Sequence, residues 1–202
     1  MIDGKSNDEK LQAVFERIDA ANCRDPNNIQ DRESERPAAL VYGERMTDML
    51  NIYDPSADDL LKIAVRAQHI ERWTSPRNSY PEGRAGYLTW RSDLKTFHGR
   101  RAGELMQASG YSETDCERVA GLISKRGLKR DPQTQILEDV ACLVFLKFYA
   151  GDFINDHDDD AVIRILGKTA KKMSPRGVAA AAGLDLSDRL GSLLTKTVEQ
   201  IA

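Results

Sequence analysis

Apolar residues recur along this chain at helical spacing from the start, where Leu11, Val14, Phe15 and Ile18 fall at i, i+3, i+4 and i+7 with charge between them. That stripe predicts an amphipathic first helix. From Cys23 to Arg36 the run CRDPNNIQDRESER has almost no apolar side chain to pack, so a long surface loop is expected over 23–36, with a helix resuming near Pro37. Asp54-Pro55, followed by Asp58 and Asp59, reads as a helix start, and the body LLKIAVRAQHI is apolar nearly all round, as in a helix at the middle of a bundle. After Trp73, Pro76, Pro81, Gly83 and Gly86 predict an irregular stretch before helical spacing returns around Leu94, Ala102 and Leu105, with Gly110 as the cap. Ser112 and Asp115 form a capping-box pattern for a short helix through Val119, Leu122 and Ile123, closed by Gly127. Asp131-Pro132 then starts ILEDVACLVFLKFY, a second helix apolar nearly all round. The tail carries further helices through Val162 to Leu166, after Gly177, and through Leu190 to Val198. No window alternates apolar and polar residues with β-branched enrichment. The expectation is therefore an all-α, single-domain helical bundle over 1–202 with about eight or nine helices and no sheet, a core at about 8–180 and a helical tail at 178–202.

Composition narrows the class without naming a reaction. The 202 residues are 41% hydrophobic and 30% charged, enough for one ordinary soluble domain. A net charge of -3 provides no global field for a phosphate backbone, which makes nucleic acid an unsupported partner. No window approaches a membrane-spanning length, and the opening MIDGKSNDEK lacks the apolar segment of a signal peptide, so the expected compartment is the cytoplasm. Cys23, Cys116 and Cys142 are widely spaced and read as reduced packing residues.

Candidate chemistry gathers in three places. His69 and His98 fall on apolar helical faces, where an imidazole must be hydrogen-bonded or ligated; a satisfied core histidine is the plainer alternative for each, and His157 in NDHDDD belongs to the surface. Glu138 and Asp139 are adjacent carboxylates entering an apolar helix, pointing about 100° apart, so one can face a pocket while the other meets a basic partner. Most distinctive is RAQHIERWTSPRNSYPEGRAGYLTWR. Arg66, Arg72, Arg77, Arg84 and Arg91 with Trp73, Tyr80, Tyr87 and Trp90 have the makings of an anion-binding wall, guanidinium forks gripping carboxylate or phosphate beside stacking rings. The alternative is a loop pinned by arginine-acid pairs. KKMSPRG at 171–177 resembles the KMSKS loop of class I aminoacyl-tRNA synthetases, but the parallel sheet and HIGH motif which that loop serves are absent, and Pro175 is expected to end a helix.

Tyr42-Gly43 with Arg45-Met46, RAQHIERW, Pro76-Arg77, Tyr80-Pro81, RAGYLTWR, Phe97-His98, LEDVACLVFL and KMS at 172–174 closely resemble the family of domain of unknown function 4202 over about 11–180. That resemblance implies no settled activity. More remotely, the helix order is similar to the HD superfamily of all-α metal-dependent phosphohydrolases, with His69 at the place of the HD histidine and His98 resembling an auxiliary ligand. Ile70 stands where the metal-binding aspartate would follow, Tyr42 where the first histidine would be, and Ala141 at the late aspartate; Glu138, one turn earlier, reaches the same side.

The HD resemblance implies a possible divalent metal, zinc, iron or manganese, on His69, His98 and Glu138, holding a water for hydrolysis. Without a metal, His69 would act as acid or base, oriented by Glu138 or Asp139. The leading expectation is a central pocket for a small phosphate- or carboxylate-bearing metabolite, bound by Arg66, Arg72, Trp73, Arg77, Tyr80, Arg84 and Arg91, in a metal-assisted hydrolase. The alternative is a catalytically inactive HD-like module that binds a ligand or protein. The oligomeric state stays open.

Overall fold

The fold, from a computed structural model that describes residues 6–201 (for Phe153 and Ile201 the backbone only), is mostly helical. The first five residues of the polar opening lie outside that range. Helix α1 (Asn7–Asn22) opens with a full capping box, Ser6 accepting from the Glu9 amide while the Glu9 carboxylate accepts from Ser6 N–H. After it come a hairpin of β1 (Asn28–Asp31) and β2 (Ser34–Pro37), α2 (Ala38–Tyr53) and α3 (Asp59–Arg66). Two short 3-10 turns, Arg72–Thr74 and Arg77–Ser79, lead into the long α4 (Gly83–Gln107), then α5 (Glu113–Ile123), the central α6 (Pro132–Phe148) and the shorter α7 (Ala150–Asn155). Helices α8 (Asp159–Ala170), α9 (Pro175–Ala182) and α10 (Asp188–Ile201) complete the described chain. Leu190, Leu193 and Leu194 of α10 join the same core cluster as Ile18, Leu61 and Leu143.

Five expectations are corrected. Residues 23–36 are not only loop: β1 and β2 pair antiparallel, Asn28 with Pro37 through Asp31 with Ser34, so the chain has a small sheet. Ions do the work that apolar side chains usually do in a hairpin. Asp31 accepts from Arg36 at 3.1 Å and Arg45 at 2.9 Å, and Arg36 grips Glu44 at 2.8 and 2.7 Å. Asp54-Pro55 does not start α3; Asp54 closes α2, and Asp58 caps α3 by accepting from the Leu61 amide at 2.8 Å. Pro175 begins α9 instead of ending a helix, because Ser174 caps it through the Gly177 amide at 3.0 Å. Cys23 is exposed, unlike the buried Cys116 and Cys142.

The fifth correction leads to the site. The run LLKIAVRAQHI is not one helix: α3 stops at Arg66, and residues 67–71 continue as overlapping turns. No glycine or proline ends it. Partners from elsewhere take the backbone groups, since the Ile70 carbonyl accepts from His98 and the Glu71 amide donates to the buried Asn22 side chain at 3.0 Å, with Glu71 at φ +50°. Gln68 and His69 therefore sit on a turn.

Asp139 ties the middle of α6 to α9 and α2. Its carboxylate accepts from Tyr53 Oη at 2.9 Å, Ser174 N at 2.8 Å, Ser174 Oγ at 2.5 Å and Gln135 Nε2 at 3.0 Å. Gly177 lets the α9 backbone approach, since a Cβ there would lie 2.7 Å from Asp139 Cγ. The carboxylate is held from four directions and cannot retreat. Gly177→Ala is therefore expected to destabilise the fold by about 1–3 kcal/mol, read as a lower denaturant midpoint with unchanged m-value. An unshifted midpoint would show that the contact yields.

Candidate functional site

Two cavities share Tyr42, His69 and Tyr149 in their walls. One, of about 430 Å³, is lined by Gln68, Arg91, Lys125, Glu138 and Lys172 besides the shared residues. We call it the basic chamber, because three cations face one carboxylate. The other, of about 370 Å³, has Trp73, Trp90, Arg72, Ile29 and Pro76 around it and is the aromatic chamber. Each volume lies within the range of small-molecule sites.

The shared wall is built from three separate elements. Tyr42 comes from the first turns of α2, whose start is held by a remote carboxylate: Pro37 offers no side-chain cap, and buried Asp25 accepts from the Ala39 amide at 2.9 Å instead. The Tyr42 ring stacks on His69, with centroids 4.5 Å apart and planes 17° from parallel. Tyr149 stands at the end of α6, its ring 6.1 Å from that of Tyr42. Burial first, then the nearby Arg72 charge and His98, hold the His69 pKa well below the ordinary histidine value. At neutral pH the wall presents a neutral imidazole, able to accept a proton.

His98, on α4, supports this wall from behind. Only 3% exposed, it directs Nδ1 at the Ile70 carbonyl, 2.7 Å away, which places the proton on Nδ1. Its ring lies 5.8 Å from His69. Nε2 is buried with no hydrogen-bond partner among the described residues. Burial lowers its pKa to about 4, against the opposing hydrogen bond to Ile70.

Glu138 is 4% exposed and ion-paired with Lys125, while Lys172 Nζ stands 3.8 Å away. Burial raises its pKa, but the two ammonium groups prevail and hold the carboxyl below the usual range. Lys125 lies just beyond α5 at φ +57°, an uncommon backbone conformation for a long side chain. Lys172 precedes the α9 cap; its carbonyl accepts from Gln135 at 2.9 Å while its ammonium reaches the chamber.

His69, His98 and Glu138 do not form the expected metal set. Glu138 is turned onto a lysine, and among the described residues no group of three His, Cys, Asp or Glu side chains is placed to hold a metal ion. The residues present do not fit a zinc, iron or manganese centre. Asp139 lines neither chamber, being occupied with α9 and Tyr53.

The arginine-aromatic segment divides in the same way. Arg72, Trp73 and Arg77 border the aromatic chamber and Arg91 the basic one. Arg66 is turned away, gripping Asp19 at 2.8 and 2.7 Å. Tyr80 donates to Asp93 at 3.1 Å, Arg77 spends its guanidinium on the carbonyls of Tyr80 and Pro81, and Arg84 is exposed outside both chambers. Sequence reasoning missed Gln68, Lys125 and Lys172. Lys172 had a signal in KMS, the motif set aside as a synthetase echo; Lys125 and Gln68 had none, since a basic turn and a glutamine beside a histidine are ordinary.

The fold and site define a class: a helical protein with adjoining basic and aromatic chambers around a neutral histidine. The chain belongs to the family described as Domain of unknown function (DUF4202), whose model matches residues 12–194. No curated protein and no solved structure matches it.

The two histidines set a pH dependence. Their folded pKa values lie below the ordinary 6.5, so between those values the unfolded chain binds more protons and stability rises with pH. Their contribution is complete above about pH 6.5 and is lost as pH falls, that of His98 by about pH 4. His98→Asn keeps a donor for the Ile70 carbonyl and removes one of the titrating groups. Its melting temperature should fall less steeply than that of the wild type between those limits; parallel curves would contradict the assignment.

Proposed function

We propose that the protein binds a small anionic metabolite, bearing phosphate or carboxylate, in the basic chamber. The carrying observation is an excess of cations around one buried carboxylate: Arg91, Lys125 and Lys172 line the chamber against Glu138 alone. An anion would complete that balance. Gln68 supports the reading, being 4% exposed with its Oε1 unpartnered among the described residues, so a ligand hydroxyl or amine would satisfy it. The remote likeness to the HD superfamily points to the same place. Tyr42, His69 and Ala141, three of the four positions that likeness would give to metal ligands, border this chamber, while Ile70, the fourth, lies in the core. Fixed side-chain cations would stand in for the charge of a metal ion, with His69 the group able to take up a proton from a bound ligand.

The test uses inorganic phosphate and pyrophosphate in isothermal titration calorimetry. Arg91→Ala and Lys172→Ala are expected to weaken binding at least tenfold with melting temperatures close to wild type. Arg66→Ala, which breaks the pair with Asp19 outside the chamber, should do the reverse, costing about 1 kcal/mol of stability while affinity stays the same. Absence of binding to folded wild type, or wild-type affinity in the two chamber variants, would overturn the proposal.

A further inference from the structure

The aromatic chamber holds a second, independent oddity, which is Arg72. Its guanidinium lies 4.8 Å over the Trp90 ring, and no carboxylate pairs with it among the described residues. Arg66 and Arg101, close to it in sequence or contact, each have an acid: Asp19 for the first and Glu71 for the second. Arg72 is left with a ring for a partner, in a recess where Trp73, Tyr42 and Tyr149 supply further aromatic faces.

Trp90 is fixed there by its own hydrogen bond, Nε1 donating to the Ser75 carbonyl at 2.9 Å, so its face is presented without freedom to collapse. Ile29 of β1 also lines the recess, on a strand anchored through Asp31 to Arg36 and Arg45. A recess walled by rings and edged by Arg72, with Arg77 occupied by the carbonyls of Tyr80 and Pro81, suits a planar aromatic group. The slot shares His69 with the basic chamber, so a ring here and an anion there can belong to one molecule.

We propose that the metabolite is an aromatic anion, its planar ring in the slot between Trp73 and Trp90 and its phosphate or carboxylate in the basic chamber, the two joined past His69. This rests on the anion site proposed above and adds the class of molecule. Arg72, over the Trp90 ring in the same recess, acts as a specificity determinant, favouring ligands whose ring carries a negative charge.

Both tryptophans of the chain line this slot, so intrinsic fluorescence reports on it directly. The experiment titrates the protein with inorganic phosphate and with phenyl, benzyl and 2-phenylethyl phosphate, which vary the distance between ring and charge. At least one ester should bind ten times or more tighter than phosphate and quench the fluorescence. Trp73→Ala should return that ester to the affinity of phosphate while phosphate itself binds as before. Ile29→Trp, which fills the slot from the hairpin side and leaves the basic chamber untouched, guards against a folding defect in the first variant and should do the same. Phosphate binding with no gain for any ester, or a gain that both variants retain, would overturn the aromatic assignment alone. No binding of phosphate or esters to folded wild type would overturn the anion site and this inference together.

Discussion

Two adjacent carboxylates on the central helix must each find compensation, and the arrangement around them depends on how they do so. Glu138 and Asp139 are buried in a helix whose other inward positions, Thr134 apart, are apolar. Being about 100° apart, they cannot share a partner. Asp139 is satisfied by neutral donors, a tyrosine hydroxyl, a serine hydroxyl and amide, and a glutamine amide, and by accepting them it fixes α2 and α9 against α6. Glu138 is satisfied by charge, bringing in Lys125 from beyond α5 and Lys172 from ahead of α9. One carboxylate is used up in holding helices together. The other is surrounded by more positive charge than it neutralises, and that surplus borders a cavity.

The broken end of α3 is the second requirement. Had the helix run on through Ile70, Gln68 and His69 would lie on its cylinder about 100° apart. Tertiary partners prevent this: His98 takes the Ile70 carbonyl and Asn22 takes the Glu71 amide, and each bond replaces one the helix would have made for itself. The exchange brings Gln68 and His69 together on the wall of the basic chamber. It also explains a buried histidine with only one nitrogen satisfied. His98 is retained for its Nδ1 donor, and the orphaned Nε2 is the residual cost of placing that donor in the core.

Helices were legible in the sequence wherever apolar spacing and caps agreed, as at Ser112 with Asp115 and at Asp131-Pro132. Misreadings arose where distant residues decided the outcome. The hairpin has neither β-branched strands nor an Asn-Gly turn, and its pairing relies on Arg45 and Glu44 from the next helix. The end of α3 depends on Asn22 and His98, 49 and 28 residues from their partners. At the site, the density of arginine and aromatic residues drew attention to 66–91, yet composition could not separate Arg72 and Arg91, which face chambers, from Arg66, which meets an acid on α1. Lys125 was invisible because nothing local distinguishes a lysine that turns inward at φ +57° from one that stays in solvent.

The kind of charge in the basic chamber bears on the chemistry it can support. A divalent ion held by histidines and carboxylates concentrates two charges at a point and sharply lowers the pKa of a bound water. Lysine and arginine spread unit charges over fixed positions, which suits recognition and neutralisation of an anion but leaves an attacking water near its ordinary acidity. Any turnover would then have to draw on proton transfer. His69 meets the first condition for a base, since burial and the Arg72 charge keep it neutral at pH 7. The same depressed pKa makes it a weak one, able to assist only a ligand proton that the surrounding cations have already made acidic. An anion bound beside Arg91 and Lys172 would raise the His69 pKa towards its ordinary value, so occupation of the chamber would itself strengthen the base.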